Sequence, residues 1–448
     1  MNQRPLPGWR LAAFAAPCVP IAALGLPISL YLPQFYASSQ GLGLGLVGTL
    51  FMVARLWDVV CDPLIGFLSD RYPSRWGHRR PWIIGATPLI CIATWFVFMP
   101  PATTSATYLL GWLLVLYLGW TMLTIPHLSW AAELSEDYHQ RSRIHGFREA
   151  GEIIGIPLVL VLPAVIEQIG GENMEAHRIA AMGGFLLILL PVAVLISVRS
   201  VGEPPRRTVP PLALASTIRA LITNQPLGRV ILADTISGAA GASVGALFLY
   251  MVSEKWHLGG SASLLMLIYF LAGLGFVPLI VKTSYRFGKH QTLIGCCAFY
   301  VAFPPLALLV PDGNFAAAAG LMVLLGINVG GAGLLLRSIM ADVADLDEHR
   351  TGEKRTGLLY SFMALTRKAG GALAVGGTFW ALQAIGFDSQ GHNSRAVLDQ
   401  LAWLFVAVPT CCNLVVMALM WRFPLDSRRQ SQLREALSSS PVADLPGK

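Results

Sequence analysis

Three charged side chains lie within one long apolar segment, and their spacing makes them the first candidates for chemistry. Arg55, Asp58 and Asp62 are three and four residues apart, so they share one face of a helix. A charge at the centre of a bilayer costs at least about 2.5 kcal/mol, so this face should border a protein interior or a water-filled cavity. Two carboxylates beside one arginine leave net negative charge, which would attract Na⁺ or a proton. The alternative is an internal salt-bridge network that packs the segment against its neighbours.

Polar side chains in two other apolar segments could complete such a site. The Thr121 hydroxyl could complete a cation site, and Thr124 adds a second hydroxyl nearby, although either hydroxyl could instead bond to its own helix. Arg148 can pair with Glu152 four residues later, or it can reach a polar group of a solute. For these residues both the structural and the functional interpretation stay open.

Lys368 lies about a dozen residues inside its apolar segment, which argues against a side chain that merely extends to the membrane surface. A lysine at that depth needs an acidic partner, and Asp58 or Asp62 would serve. Salt bridges toward the helix ends are expected to hold one state of a transporter closed. For the charged segment 337–350, the alternative interpretation is a solvated loop. The candidates for such gating are Arg55, Asp70, Arg71, Arg75, Arg141, Glu152, Asp342 and Asp345.

The composition indicates a membrane protein. Hydrophobic residues make up 54% of the 448 residues and charged residues only 13%, where a soluble globular protein carries about 25% charge. Apolar runs long enough to span a bilayer, which takes about 20 residues, occur about twelve times. The seven cysteines lie in apolar runs without metal-ligand spacing, and no phosphate-binding loop or hydrolytic triad is visible. We therefore expect neither an enzyme nor a cofactor or metal site.

Loop charges predict the topology and the domain organisation. Lys and Arg concentrate in alternate loops, and basic loops stay in the cytoplasm, so both termini are expected there. The net charge of +7 lies in these short loops rather than in one patch, which argues against nucleic-acid binding. The expected fold is all-α, with twelve transmembrane helices in two pseudo-symmetric bundles. We place the first bundle at 1–198, a cytoplasmic loop at 199–226, the second bundle at 227–421 and a cytoplasmic tail at 422–448.

The sequence around the acid pair resembles that of a known family. It reads GLVGTLFMVARLWD at residues 45–58, continues with Asp62-Pro63, and then has SRWG at residues 74–77. With weaker matches in both halves, the chain resembles the glycoside–pentoside–hexuronide:cation symporters, the melibiose permease-like family of the major facilitator superfamily. That resemblance implies the major facilitator fold and the coupling of Na⁺, H⁺ or Li⁺ to solute uptake.

The same resemblance implies roles for single residues. The matching residues are Asp58, Asp62 and Thr121 for the cation, and Arg148, Lys368 and Tyr360 for the substrate. Ala22 and Thr124 stand where melibiose permease has sugar-binding aspartates, so Thr124 is assigned to the substrate but a galactoside is not expected. Cys61 stands where the family cation site has an asparagine, which leaves Na⁺ and H⁺ both open.

These observations favour a secondary active transporter that moves a small polar solute, a sugar or glycoside, together with Na⁺ or H⁺ by alternating access. The partners would be the solute, the monovalent cation and the lipid bilayer, with a functional monomer in a bacterial inner membrane. The alternative is a proton-driven exporter, or a transporter of lysolipids or other amphiphiles, on the same scaffold. A membrane scaffold or sensor that transports nothing is a third hypothesis, and it gives no reason for two carboxylates inside a span.

Overall fold

The computed structural model describes residues 6–71, 77–135, 138–170, 174–203, 224–351, 356–389 and 393–425, and within them not the side chains of residues 138, 139, 141 and 142. Eleven helices in these ranges are long and apolar enough to span a membrane. A further helix of 29 residues is also long enough, but Arg367 and Lys368 near its middle lower its mean hydropathy. Together these helices form the expected twelve-helix, all-α fold.

The spanning helices follow one another with short connections on either side of the long middle loop. In chain order they are α1 Gly8–Ala37, α2 Leu44–Arg71, α3 Arg80–Phe98, α4 Ala106–Glu133, α5 Tyr138–Ile169, α6 Met174–Ser200, α7 Gln225–Lys255, α8 Gly259–Phe287, α9 Lys289–Leu309, α10 Phe315–Thr351, α11 Thr356–Ala384 and α12 Arg395–Met420. We call the end at which α1 begins and α12 ends the inner end, and the opposite end the outer end.

Besides the contact of α1 with α7, two larger interfaces join α1–α6 to α7–α12. One packs α2 against α11, and the other packs α5 against α8. A two-fold axis that places α1–α6 on α7–α12 would carry α2 onto α8 and α5 onto α11, so the two interfaces are one arrangement repeated, as internal repeats in transporters predict. The predicted loop at 199–226 follows the end of α6 at Ser200 and precedes the start of α7 at Gln225. Residues 204–223 of that loop and residues 426–448 of the predicted tail lie outside the described residues.

Glycines bring α2 and α11 into direct contact at the outer end. A Cβ added at Gly48 would overlap Phe379, and one added at Gly376 would lie 2.6 Å from the sulfur of Met52. Helices in membranes associate largely through such close packing, because lipid offers no hydrophobic drive to bring them together. The small residues therefore fit a tight seal between the two bundles at this end.

The spanning helices α1 and α10 are among those interrupted where they border the centre of the molecule. In α1 a π-helical turn covers Pro27–Tyr31, and proline cannot donate the backbone hydrogen bond that a regular helix needs. In α10 the helix Phe315–Gly326 stops and resumes as Gly331–Thr351, with Gly330 at a φ of +74°, which favours glycine. Irregular backbone at this depth is tolerated where it lines a cavity.

The inner end repeats one ion-pair arrangement in both halves. Arg79, just before α3, pairs at 2.6 Å with both Asp70 and Glu133, and Lys289 at the start of α9 pairs at 2.6 Å with Asp342. The segment 337–350, for which a solvated loop was one alternative, is helical in its entirety as part of α10. Its helical form follows from the apolar side chains that recur along one buried face of this stretch.

Candidate cation and solute site

Four of the residues singled out from the sequence meet at the interface of α2, α4 and α11. The Lys368 ammonium lies 2.9 Å from Asp58 Oδ2 and 2.6 Å from Asp62 Oδ2. From the other side the Thr121 hydroxyl lies 2.7 Å from Asp58 Oδ1 and 3.0 Å from Asp62 Oδ1. Lys368 was expected to need an acidic partner, and both carboxylates contact it.

The charges in this cluster do not cancel. Two carboxylates and one ammonium leave a formal charge of −1, and the single Thr121 proton can be donated to only one carboxylate at a time. A small monovalent cation beside the three oxygens Asp58 Oδ1, Asp62 Oδ1 and Thr121 Oγ1 would bring the sum to zero. Carboxylate and hydroxyl oxygens are suitable ligands for a hard cation.

Local sequence positions these side chains. Asp58 and Asp62 are one turn apart on α2, so both carboxylates point to the same neighbours. Pro63 follows directly and is tolerated within α2, while Pro126 interrupts the hydrogen bonding of α4 one turn after Thr121. Thr121 is fully buried, which leaves its hydroxyl no partner in water and directs it to the acids.

The cluster borders a large cavity between the two bundles. The cavity has a volume of 790 Å³, and Asp58 and Lys368 are part of its wall. The side chains of Asp58, Asp62 and Lys368 are 9%, 15% and 34% exposed. An ion in the cavity therefore reaches the carboxylates through Asp58 and past Lys368, and the acid pair is not sealed off from the cavity.

Further charged residues stand on the same wall. Arg55 and Glu152, both predicted from the sequence, line the cavity, and Arg55 donates to the hydroxyl of Ser29 on α1. Arg367 also lines it and pairs at 2.6 Å with the buried Asp234 of α7.

Three residues predicted to bind substrate lie away from the cavity wall in this conformation. Arg148 is buried and lies 4.0 Å from Glu152. The Thr124 hydroxyl donates to the carbonyl of Trp120 in its own helix, the structural alternative noted above, and the Tyr360 hydroxyl donates to the carbonyl of Arg337. Their roles in substrate binding stay predictions.

The predicted gating residues are dispersed. Asp70 pairs with Arg79, Asp342 pairs with Lys289, and the Arg71 guanidinium lies 5.7 Å from the centre of the Phe67 ring. Asp345 is half-buried on α10. Arg75 and the side chain of Arg141 lie outside the described residues.

The outer end holds a buried polar cluster that sequence reasoning missed. Glu167 on α5, whose side chain is 0% exposed, accepts hydrogen bonds from the Ser263 amide at 2.9 Å and the Ser263 hydroxyl at 2.5 Å. It also pairs with Arg178 of α6 at 2.7 Å, and Tyr31 of α1 lies 2.7 Å from the Ser263 hydroxyl. Ser263 lies near the start of α8 in the second bundle, so the Glu167 carboxylate on α5 connects the two bundles at the outer end. The available signal was Arg178, one of the few basic residues on the side that is nearly free of Lys and Arg.

Known proteins resemble this chain in sequence and in fold. The family described as "MFS/sugar transport protein" matches residues 13–427. The isoprimeverose transporter of Lactiplantibacillus pentosus is 25% identical, with 85% of this chain and 81% of that protein covered. The human sodium-dependent lysophosphatidylcholine symporter 1 is also 25% identical, with 93% and 85% covered.

Solved structures agree on the architecture. A crystal structure of the nucleoside transporter NupG superposes with a TM-score of 0.66 at 14% identity, covering 93% of this chain and 100% of that one. At this level of identity the likeness establishes the fold alone. The family match over nearly the whole sequence identifies this chain as a membrane transporter that belongs to the MFS/sugar transport protein family of the major facilitator superfamily, and the solved structure agrees with the fold of that family.

Proposed function

We propose that this protein is a secondary active symporter that couples Na⁺ or H⁺ to the movement of a small polar solute, a sugar or glycoside, by alternating access. The observation that carries the proposal is the cluster of Asp58, Asp62, Thr121 and Lys368 on the wall of a cavity between two bundles. The family match and the sugar and sodium-dependent transporters among the relatives support it.

The cluster suggests how ion binding is coupled to the change of conformation. Lys368 belongs to α11 and the acids to α2, so their ion pairs cross the interface between the bundles. A cation that binds the carboxylates competes with the ammonium and weakens this cross-bundle contact. The released Lys368 side chain, already on the cavity wall, would then be available to a hydroxyl or carboxylate of the solute.

The conformation fits one half of a transport cycle. At the outer end the bundles are joined by the glycine contacts of α2 with α11 and by the buried Glu167 cluster. At the inner end Glu149 and Arg337 form an ion pair between the bundles at 3.6 Å, and their side chains are 56% and 62% exposed. This exposed pair holds the bundles together less tightly than the buried contacts at the outer end do. If the inner end is cytoplasmic, as the loop charges predict, this is an inward-facing state. We propose the same orientation, with both termini cytoplasmic, in a bacterial inner membrane and as a functional monomer.

The experiment is uptake of radiolabelled D-xylose, D-glucose, D-glucuronate and their methyl glycosides into proteoliposomes under an imposed Na⁺ or proton gradient. We expect one gradient to drive accumulation of at least one solute. Asp58→Asn changes the formal charge of the cluster from −1 to 0, so cation-driven uptake should fall by about tenfold or more. The matched control is Asp399→Asn, which removes an exposed ion pair with Lys255 far from the cluster and should leave uptake unchanged. Uptake that is equal with and without both gradients would refute the proposal.

A further inference from the structure

Two adjacent basic side chains of α11 reach in different directions. Lys368 pairs with the acids of α2 in the first bundle, at 2.9 Å from Asp58 and 2.6 Å from Asp62. Arg367 pairs instead with Asp234 of α7 in its own bundle, at 2.6 Å. Consecutive residues of an α-helix are about 100° apart around its axis, so one rotation of α11 must satisfy both pairs. The direction in which Lys368 reaches is therefore linked to the position of Arg367.

The pair of Arg367 with Asp234 is firmly held. The Asp234 side chain is 3% exposed, whereas that of Arg367 is 39% exposed and borders the cavity. An acid buried to this degree is costly without its partner, so the guanidinium is expected to stay in place while Lys368 exchanges with a cation. Both members belong to the second bundle, so a movement of one bundle against the other does not have to break the pair.

Close packing of α7 against α11 fixes the same rotation. A Cβ added at Gly238 of α7 would lie 2.8 Å from Cγ of Arg367, so the alkyl part of this arginine crosses α7 at a glycine. A Cβ added at Gly370 of α11 would lie 2.6 Å from Cγ2 of Thr235 on α7. Atoms packed at this distance leave α11 little freedom to turn about its axis. Lys368 then reaches the acids from a backbone position that α7 determines.

We propose that Asp234 and Arg367 are positioning residues for Lys368. They hold α11 at the rotation in which the ammonium contacts both acids, and so they set how strongly Lys368 competes with the coupling cation. Both contacts of Lys368 already lie near the ideal hydrogen-bond distance, so a displacement of α11 weakens them and favours the cation. This inference rests on the proposed symport function and names a determinant of cation affinity outside the cation cluster.

The test compares apparent cation affinity in variants of the purified protein. Thermal unfolding in detergent is followed as NaCl replaces N-methylglucamine chloride at constant ionic strength, and the NaCl concentration of half-maximal stabilisation is recorded. If acid rather than Na⁺ stabilises the protein, the pH of half-maximal stabilisation is recorded instead. The double variant Asp234→Asn/Arg367→Met removes one charge of each sign and leaves the net charge unchanged. It should bind the cation about three- to tenfold more tightly, because a displaced ammonium competes less well.

Two comparisons separate positioning from a purely structural or electrostatic role. In the Lys368→Met background the same double variant should leave the cation affinity unchanged, since no ammonium remains to be positioned. The matched control Lys289→Met/Asp342→Asn removes another ion pair of the second bundle, in which the acid is also buried and the base is 30% exposed. It should lower stability without changing the cation affinity.

A variant that changes no charge tests the packing, and it serves even if the double variant does not fold. Gly370→Ala places a methyl group against Thr235 and should tighten cation binding by at least about threefold. Its control is Gly377→Ala on the same helix, which places the methyl group in open space and should leave the cation affinity unchanged.

The inference is overturned if the double variant loses stability but keeps the cation affinity of the unmodified protein, because the pair would then be structural only. It is also overturned if the gain persists in the Lys368→Met background, or if Gly370→Ala binds the cation like Gly377→Ala. Each of these results leaves the proposed function standing. The proposed function fails instead if no gradient drives uptake, and an unmodified protein that responds to neither Na⁺ nor acid overturns both.

Discussion

Replacing Lys368 with methionine removes the ammonium that lies between Asp58 and Asp62 while keeping much of the side-chain bulk. The formal charge of the cluster then changes from −1 to −2, and two carboxylates one helical turn apart face each other across Thr121. Without a cation the folded protein should be less stable than the unmodified chain. With the coupling ion present, the same site should bind that ion more tightly because its internal competitor is gone.

The structure sets the size of both effects. Breaking a buried ion pair costs about 3–5 kcal/mol and breaking an exposed pair about 0–1 kcal/mol. The Lys368 side chain is 34% exposed and its acidic partners are 9% and 15% exposed, so the pair falls between these limits. We take about 2 kcal/mol, which corresponds to about a 30-fold gain in apparent cation affinity.

The assay is thermal unfolding in detergent at a fixed pH, with NaCl titrated against N-methylglucamine chloride at constant ionic strength. Lys368→Met should unfold at lower temperature without Na⁺ and recover as Na⁺ is added, with a midpoint about 30-fold below that of the unmodified protein. If the coupling ion is a proton, the recovery should appear on lowering the pH instead, because protonation of one carboxylate relieves the repulsion. The cation response then distinguishes the two ions.

Lys289→Met is the matched control. Lys289 is 30% exposed and pairs at 2.6 Å with Asp342, which is 8% exposed, so the pair resembles that of Lys368 but lies at the inner end. This variant should lose comparable stability without any change in its cation response. If Lys368→Met behaves like Lys289→Met, or if it binds the cation more weakly than the unmodified protein does, then Lys368 is not a competitor for the cation and the coupling argument fails.

Two further predictions concern closure of the outer end. Glu167→Gln should lower the free energy of unfolding by about 2–3 kcal/mol, because a fully buried, hydrogen-bonded carboxylate is lost. The control Asp399→Asn, in an exposed pair, should lower it by under about 1 kcal/mol. Equal losses for the two variants in denaturant unfolding would contradict a role of Glu167 in joining the bundles. Gly376→Leu should clash with Met52 and reduce solute uptake by about tenfold or more. Its control Gly377→Leu, which places the side chain in open space, should leave uptake unchanged. Uptake that is unimpaired in both variants, or equally impaired in both, would contradict a role of this glycine contact in closure.

Much of the fold could be predicted from the sequence because membrane helices are specified locally. A run of apolar residues is long enough to span or it is not, and loop charges orient it. The spacing of Asp58 and Asp62 determined that they share one face, and the depth of Lys368 required an acidic partner. Each of these inferences depends on residues within one helix or on the properties of the bilayer.

Contacts between helices were harder to predict from the sequence. Thr121 and Thr124 are three residues apart on α4, yet the Thr121 hydroxyl contacts the acid pair and the Thr124 hydroxyl bonds to the backbone of its own helix. Sequence alone could not choose between them, because the choice depends on how α4 is rotated about its axis against α2. The same is true of Tyr360, whose hydroxyl meets the backbone of Arg337 instead of the cavity.

The sequence by itself determined the number of helices, their membrane setting and which charged residues had to face away from lipid. Only the tertiary structure decided that Glu167 of α5 would bond to Ser263, 96 residues away near the start of α8, and that Asp58 and Lys368 would line one cavity between the bundles. The physical reason is that helix formation and membrane insertion depend on local composition. The pairing of helix faces depends instead on close packing and hydrogen bonds between distant segments, which no periodicity within a single helix reveals.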